Sequence, residues 1–262
     1  MTKVVIIGGV AGGASAAARL RRLKEDFEII ILDKGPYISF ANCGLPYYVG
    51  NIIKEQKSLE LFSPHRFKSW FNIDVRVNNE AISIDRNKKQ VLVRDLSTLN
   101  KYSLDYDYLL IATGSTPIIP PFKGLEEVPY YKIWTIPDAV KIREYVEKNK
   151  IQKAVIVGGG FIGLEMAENL VEKGVKVKII EMLDQVMPPI DKEMAQLIHQ
   201  ELILNGVCLI LEDPVESFAR TDNNRPVVKT KNGREIETDL VLMAVGIKPI
   251  SNLAKNSGLE LN

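Results

Sequence analysis

Apolar residues in this chain gather into short solid runs. Residues 4–7 are a β-branched block, followed by a glycine cluster and an alanine-rich helix reaching about Lys24. A run that is apolar at every position suits a strand buried on both faces, as in a parallel sheet. Residues 28–32 repeat the pattern and stop at Asp33. Residues 36–50 are irregular, and Pro64 opens a helix predicted through Phe71. From Ile73 to Asp95 the pattern turns to alternation, with a hairpin over 82–93. Residues 108–112 read as another buried strand, ending at Thr113-Gly114.

A proline-rich stretch then carries Pro117, Pro120, Pro121, Pro129 and Pro137, the best linker candidate in the chain. An amphipathic helix is predicted over 138–150. After it the opening pattern recurs: a strand at 154–157, a glycine loop, a helix over 161–173, and a strand at 175–180 stopping at Glu181. A further helix (191–204), a strand (207–211), a hairpin and a return strand (240–245) complete the reading. The two copies are repeats of one nucleotide-binding unit. The expected fold class is α/β, with two doubly wound, three-layer Rossmann-like domains. Residues 1–117 form the first, 118–246 the second, and 247–262 begin a return to the first.

Composition removes whole classes of function. The 262 residues are 46% hydrophobic and 26% charged, which excludes disorder. With 34 Lys and Arg against 33 Asp and Glu, the net charge is +1, so no bulk field draws in nucleic acid or an anionic membrane. No run of about 20 apolar residues occurs that would span a membrane. Four glycines interrupt the only stretch resembling a secretory signal. Two cysteines, Cys43 and Cys208, fit a reducing, cytoplasmic compartment.

The second glycine loop, Gly158-Gly159-Gly160-Phe161-Ile162-Gly163, is a full G-x-G-x-x-G between a strand and a helix, with Glu181 at the next strand end. Its glycines permit a tight turn, close approach of backbone to a pyrophosphate, and close helix–strand packing. The helix N-terminus offers N–H donors to phosphate. Glu181 is placed to accept from a ribose hydroxyl, and Met182, Leu183 and Asp184 after it offer no cation for a 2′-phosphate, so NADH is expected over NADPH. The first loop, Gly8-Gly9-Val10-Ala11-Gly12-Gly13, has Val10 at the middle glycine position but keeps Asp33 at its strand end. Two dinucleotide sites suggest an electron relay between a nicotinamide nucleotide and a flavin.

Cys43 sits between Asn42 and Gly44 outside any apolar strand, and Pro46 suits the first turn of a short helix. A thiol at a helix N-terminus is favoured as thiolate. The fifth residue after Cys43 is Tyr48, so a Cys-x4-Cys dithiol is ruled out. Cys208, in the run 207–210, reads as a buried small hydrophobe. Any redox cycle of Cys43 needs an external sulfur or an oxidant. Ser15, Arg19 and Arg22 share one face of the first helix, either as a basic stripe for a phosphorylated substrate or as a solvated face. His65 and His199 have no ligand spacing, and no metal site is visible.

Four segments together resemble the single-cysteine flavin disulfide reductases, above all the coenzyme A disulfide reductases, the CoA-persulfide reductases and the NADH oxidases. They are residues 6–15, residues 39–48 (Ser-Phe-Ala-Asn-Cys-Gly-Leu-Pro-Tyr-Tyr), Ala112-Thr113-Gly114, and residues 160–165 (Gly-Phe-Ile-Gly-Leu-Glu). Val10 is usual in this group. The resemblance implies FAD at the first loop, with Asp33 and its neighbour Lys34 at the adenosine ribose, a backbone contact from Ala81 to the adenine, and contacts from residues 112–114. It implies NADH or NADPH at the second loop, with Glu165 near the flavin–nicotinamide contact, and it counts Gly246 among the cofactor-binding residues. Cys43 would be the redox nucleophile, and Ser15, Arg19, Arg22, Ser39 and Asn42 would contact CoA. The substrate implied is CoA disulfide or persulfide. The alternatives are an NADH oxidase or peroxidase that forms a sulfenic acid at Cys43, and a nucleotide-binding fragment without turnover. Relatives continue past a segment like residues 244–249 into a third FAD motif and a dimerisation domain. This chain is therefore expected to be the N-terminal portion of a homodimeric parent, and by itself to hold FAD weakly.

Overall fold

The computed structural model describes residues 1–261. The opening run forms strand β1 (Lys3–Ile7), helix α1 (Gly12–Leu23) and strand β2 (Glu28–Leu32). Helices α2 (Leu45–Val49) and α3 (Pro64–Phe71) follow, then strands β3 (Asp74–Arg76), β4 (Asn79–Asp85), β5 (Gln90–Asp95), β6 (Lys101–Asp105), β7 (Tyr108–Ile111) and β8 (Ser115–Pro117). The remainder runs β9 (Tyr130–Tyr131), α4 (Ile136–Lys148), β10 (Lys153–Val157), α5 (Phe161–Glu172), β11 (Lys176–Ile180), α6 (Lys192–Leu204), β12 (Cys208–Ile210), β13 (Val215–Arg220), β14 (Pro226–Thr230), β15 (Glu235–Glu237), β16 (Leu240–Met243), β17 (Ile247–Pro249) and α7 (Asn252–Asn256).

Two compact units result. The first holds Met1–Ala41, Lys57–Thr116 and Pro249–Asn262; the second holds Asn42–Gln56 and Pro117–Lys248. In the first, four parallel strands lie in the order β3-β2-β1-β7. Alternation sorts β1 cleanly: Val4 and Ile6 pack with Ala14, Ala17, Ile38 and Phe67 on the helical side. Val5 and Ile7 pack with Val91, Val93 and Leu104 on the other. That other layer is the antiparallel sheet β4-β5-β6.

The second unit repeats the plan. Five parallel strands run β12-β11-β10-β16-β9. Val155 and Val157 of β10 pack with Phe218, Val228 and Ile236 of the antiparallel sheet β13-β14-β15. Ile156 points the other way, toward α5. The parallel sheets and the strand–glycine loop–helix repeats are as expected from the sequence. The third layer differs from a doubly wound one, because an antiparallel meander rather than helices covers the second face of each sheet.

Three local expectations also change. Strand β7 is not buried: Tyr108 is exposed, because β7 is the edge of its sheet. Cys208 is exposed rather than a core residue, because β12 is likewise an edge. The segment Asn42–Gln56, expected with the FAD-binding stretch 1–117, packs with the second unit, where α2 lies against α4 and α5.

Candidate functional site

The two glycine loops are built alike, each inside its own unit. Gly8 has φ +103° and Gly158 φ +107°, values L side chains rarely adopt. A Cβ on Gly8 would lie 2.1 Å from the Ala112 carbonyl oxygen, and one on Gly158 2.4 Å from that of Ala244. The last glycine of each loop packs helix onto strand: a Cβ on Gly13 or Gly163 would strike the carbonyl of Gly8 or Gly158, at 1.7 and 2.2 Å.

The acids at the strand ends are fastened to these loops. Asp33 Oδ2 accepts from the Gly9 N–H at 2.7 Å, and Oδ1 from the Gly35 N–H at 2.8 Å. Glu181 Oε2 accepts from the Gly159 N–H at 2.7 Å, and Oε1 from the Leu183 N–H at 3.0 Å. Burial raises the Asp33 carboxyl above its ordinary value, against the opposing pull of the Gly9 and Gly35 N–H groups. Each carboxylate oxygen keeps a lone pair for a ribose hydroxyl.

The residues present fit two dinucleotides. Nothing lies within 4 Å of the position a Cβ on Gly160 would take. Helices α1 and α5 begin with no side-chain cap and no acid in the first turn. Helix α3 is capped by Ser63, and α4 by a Thr135–Asp138 capping box. The uncapped N–H groups at the two loops are what a pyrophosphate needs.

Of the other expected residues, Val10, Ala11 and Gly12 complete the first loop, and Ala11 is the N-terminal flank of α1. Ala112, Thr113 and Gly114 follow β7, where the Thr113 hydroxyl donates to the Ile250 carbonyl at 2.6 Å. Ala81 lies at a register shift of β4, and Lys34 is exposed beside Asp33. In the second unit Phe161 is 64% exposed next to Gly160, while Ile162 and Glu165 are half-buried on α5. The Gly246 carbonyl accepts from the Ile118 N–H at 2.9 Å.

Ser15, Arg19 and Arg22 are all exposed on α1. Arg21 between them is buried and donates to the carbonyls of Lys24, Glu25, Phe71 and Asn72. Ser39 adopts φ +45° and donates its N–H to the Gly9 carbonyl at 3.0 Å, so this strained residue is tied to the first loop.

Cys43 is exposed in the turn Asn42–Gly44 leading into α2, and Pro46 stands in the first turn of that helix. Asn42 beside it is exposed as well. Neither cysteine is in a disulfide. Tyr47, one turn beyond Cys43, was not singled out from the sequence. The Glu168 carboxylate, then burial, Glu165 and Cys43 push its hydroxyl above the ordinary value. Burial, followed by Glu168, raises the Glu165 carboxyl. Cys43, Tyr47, Glu165 and Glu168 therefore form one electrostatic neighbourhood in the second unit.

Two further details bear on the sequence reading. Asp184 is paired with Lys192, so a cation does lie close to the Glu181 strand end, supplied by α6. His199 is buried and its Nε2 accepts from the Val186 N–H at 3.1 Å. Among the described residues no group of three or more His, Cys, Asp or Glu could hold a metal, and no helix is long and apolar enough to cross a membrane.

Paired Rossmann-like units, each with a glycine loop tied to an acid, and an exposed cysteine outside both loops are the features expected of a two-nucleotide redox protein. The chain belongs to the pyridine nucleotide-disulphide oxidoreductase family, whose profile matches residues 2–262. It is similar to the reduced Bacillus anthracis CoADR-RHD crystal structure, with 44% identity, a TM-score of 0.96, and coverage of 99% of this chain and 46% of that one. The NAD(P)H sulfur oxidoreductase (CoA-dependent) of Pyrococcus abyssi is 37% identical over 98% of this chain and 56% of its own length. The coenzyme A disulfide reductase of Staphylococcus haemolyticus is 32% identical over 100% of this chain and 58% of its own. The chain thus spans little more than half the length of these curated relatives.

Proposed function

We propose that this chain is the nucleotide-binding and cysteine-bearing portion of an enzyme that uses NADH, or NADPH less readily, to reduce CoA disulfide or CoA persulfide through Cys43. The observation that carries this reading is an exposed thiol with no second cysteine in its turn, in a family of two-nucleotide redox proteins. The first unit, with Asp33 and residues 8–13, would hold FAD, and the second, with Glu181 and residues 158–163, the nicotinamide nucleotide. Bound there, the two nucleotides supply the two-electron chemistry.

The chain's own residues do the rest. The Cys43 thiolate attacks one sulfur of the CoA disulfide. A Cys43–S–S–CoA bond forms, the substrate S–S bond breaks, and one CoA leaves as thiolate. Two electrons then cleave the mixed disulfide, returning the Cys43 thiolate and releasing the second CoA as thiolate. Ser15, Arg19 and Arg22 offer a hydroxyl and two cations to CoA phosphates, and Ser39 and Asn42 offer hydrogen bonds to substrate. Two free thiols suit the cytoplasm, and the family resemblance of the sequence implies a homodimeric parent.

The test is intact mass after incubation with CoA disulfide. The expected result is one CoA adduct on the chain, absent from Cys43→Ser, and removed by NADH once FAD is present. No adduct, with peroxide converting Cys43 to a sulfenic acid at a faster rate, would favour the oxidase reading instead. An adduct that NADH leaves in place would favour a nucleotide-binding piece without turnover.

A further inference from the structure

Helix α2 is five residues long, far too short to hold its shape alone, so its position is set by what grips it. Leu45, Pro46, Tyr48 and Val49 are buried. On one side α2 meets α5 so closely that a Cβ on Gly50 would lie 2.1 Å from Asn169 Oδ1. On the other side one residue dominates. Arg143 of α4 donates from Nη2 to Asn51 Oδ1 at 2.7 Å. From Nη1 it meets the carbonyls of Lys54 at 3.0 Å and of Tyr48 and Ile53 at 3.4 Å each. Its guanidinium also lies 4.5 Å from the centroid of the Tyr48 ring.

The third nitrogen points away from this segment. Arg143 Nε donates to Glu147 at 3.2 Å, and Glu147 accepts from Lys173, just after α5, at 3.0 Å. One side chain, 17% exposed, therefore ties together α2, α4 and the end of α5. Asn51 takes φ +66°, a conformation asparagine tolerates better than most residues, and in it its side chain meets the guanidinium. Of the three carbonyls only that of Tyr48 belongs to α2, where a cation meets the negative end of the helix dipole; those of Ile53 and Lys54 lie in the segment that follows it. A planar fork carries five donors in a fixed geometry and here meets five acceptors, whereas an ammonium has only three donors on one atom.

We propose that Arg143 is a positioning residue: by clamping residues 48–54 it fixes α2, and through α2 the turn that carries Cys43, in the one orientation that sulfur exchange uses. This rests on the redox role proposed for Cys43. An exposed cysteine at the head of a five-residue helix has no rigidity of its own. Sulfur exchange and electron return need their atoms aligned to within about half an ångström.

The experiment uses a nitroxide label on Cys43 in a Cys208→Ser background, with the converse label on Cys208 in Cys43→Ser as control. Cys208 lies on β12 of the same unit and has no part in the proposed chemistry. Arg143→Met keeps the apolar stem, and Arg143→Lys keeps the charge without the fork. The expected result is a more mobile Cys43 label in Arg143→Met, an intermediate one in Arg143→Lys, and an unchanged Cys208 label in both. An immobile Cys43 label, or equal loosening at both positions, overturns the proposal, the second because it shows general destabilisation. In unlabelled, FAD-loaded protein, kcat for thiol release from CoA disulfide should fall about tenfold in Arg143→Met, with KM within about twofold. A raised KM with kcat kept would also overturn it. If the unsubstituted protein releases no thiol, the functional reading fails, and the label comparison still decides the role of Arg143.

Discussion

The Gly159 N–H donates to the Glu181 carboxylate at 2.7 Å, and Gly9 does the same to Asp33 at the equivalent place in the other unit. The acid expected to read the ribose is therefore also a strut of the loop expected to carry the phosphates. Exchanging Glu181 for arginine to favour NADPH consequently has two effects. Two backbone N–H groups, of Gly159 and Leu183, lose their acceptor at a site where Glu181 is only 8% exposed. Each orphaned donor costs about 1–3 kcal/mol. Glu181→Arg should shift preference toward NADPH and lower the thermal midpoint, while Glu181→Gln, whose single carbonyl oxygen can serve only one of the two N–H groups, should fall between the Arg variant and the parent chain. An Arg variant as stable as the parent chain would show that the strut contributes nothing.

The glycines of the second loop should separate into two kinds. Gly158 is fixed by φ +107° and by the Ala244 carbonyl 2.4 Å from its hypothetical Cβ. Gly160 has extended backbone at φ −81° and open space around it. Gly158→Ala should lower stability by about 2–4 kcal/mol through strain and clash. Gly160→Ala should leave unfolding unchanged and weaken NADH binding by about tenfold, because the open space is where a pyrophosphate approaches. Equal losses of stability in urea titrations would contradict this division.

The loops were legible in the sequence because their requirements are local: β-branched runs, a positive-φ glycine, a helix start, an acid at a strand end. Strands β6 and β13 leave little signal in the sequence, because their residues, Lys101–Asp105 and Val215–Arg220, carry charges on the exposed side and form only the outer layers. Cys208 looked like core because its neighbours are apolar, yet apolarity does not reveal that β12 is an edge. The allegiance of Asn42–Gln56 to the second unit was not readable. Arg143 holds it mainly through backbone carbonyls, which leave no mark on the partner side chains. Lys192 reaches Asp184 from the next helix, a pairing that appears only once that helix packs.

His199 gives the fold a defined pH response. Burial holds its imidazole below the ordinary value of 6.5, and its Nε2 must stay unprotonated to accept from the Val186 N–H. A depressed folded-state value means that the unfolded chain binds the proton more readily. The contribution to stability is full above about pH 6.5 and is lost as pH falls through the lower folded-state value. Denaturant midpoints measured from pH 7.5 to 5 should decline over that window, and His199→Leu should remove this part of the decline. It should also cost about 1–3 kcal/mol at neutral pH by leaving the Val186 N–H without an acceptor. An identical pH profile in the variant would assign the decline to other groups.

The arginines of α1 offer the sharpest separation of fold from recognition. Arg21 is buried and donates from Nε, Nη1 and Nη2 to four backbone carbonyls, which joins α1 to the end of α3. Arg19 and Arg22 are exposed, on the side of the helix where Ser15 also lies. Arg21→Ala should therefore destabilise the first unit by about 2–4 kcal/mol, since several carbonyls lose a charged donor and the buried stem leaves a void. Arg19→Ala with Arg22→Ala should leave the unfolding midpoint within error, as most substitutions at exposed positions do. If the stripe serves CoA phosphates, that double variant should weaken CoA disulfide binding by about tenfold at low ionic strength, less at high salt, with NADH binding untouched. Titration calorimetry with CoA disulfide at two salt concentrations distinguishes the cases. Equal affinity for the double variant and the parent chain would leave Arg19 and Arg22 as solvated surface and move the phosphate contacts elsewhere.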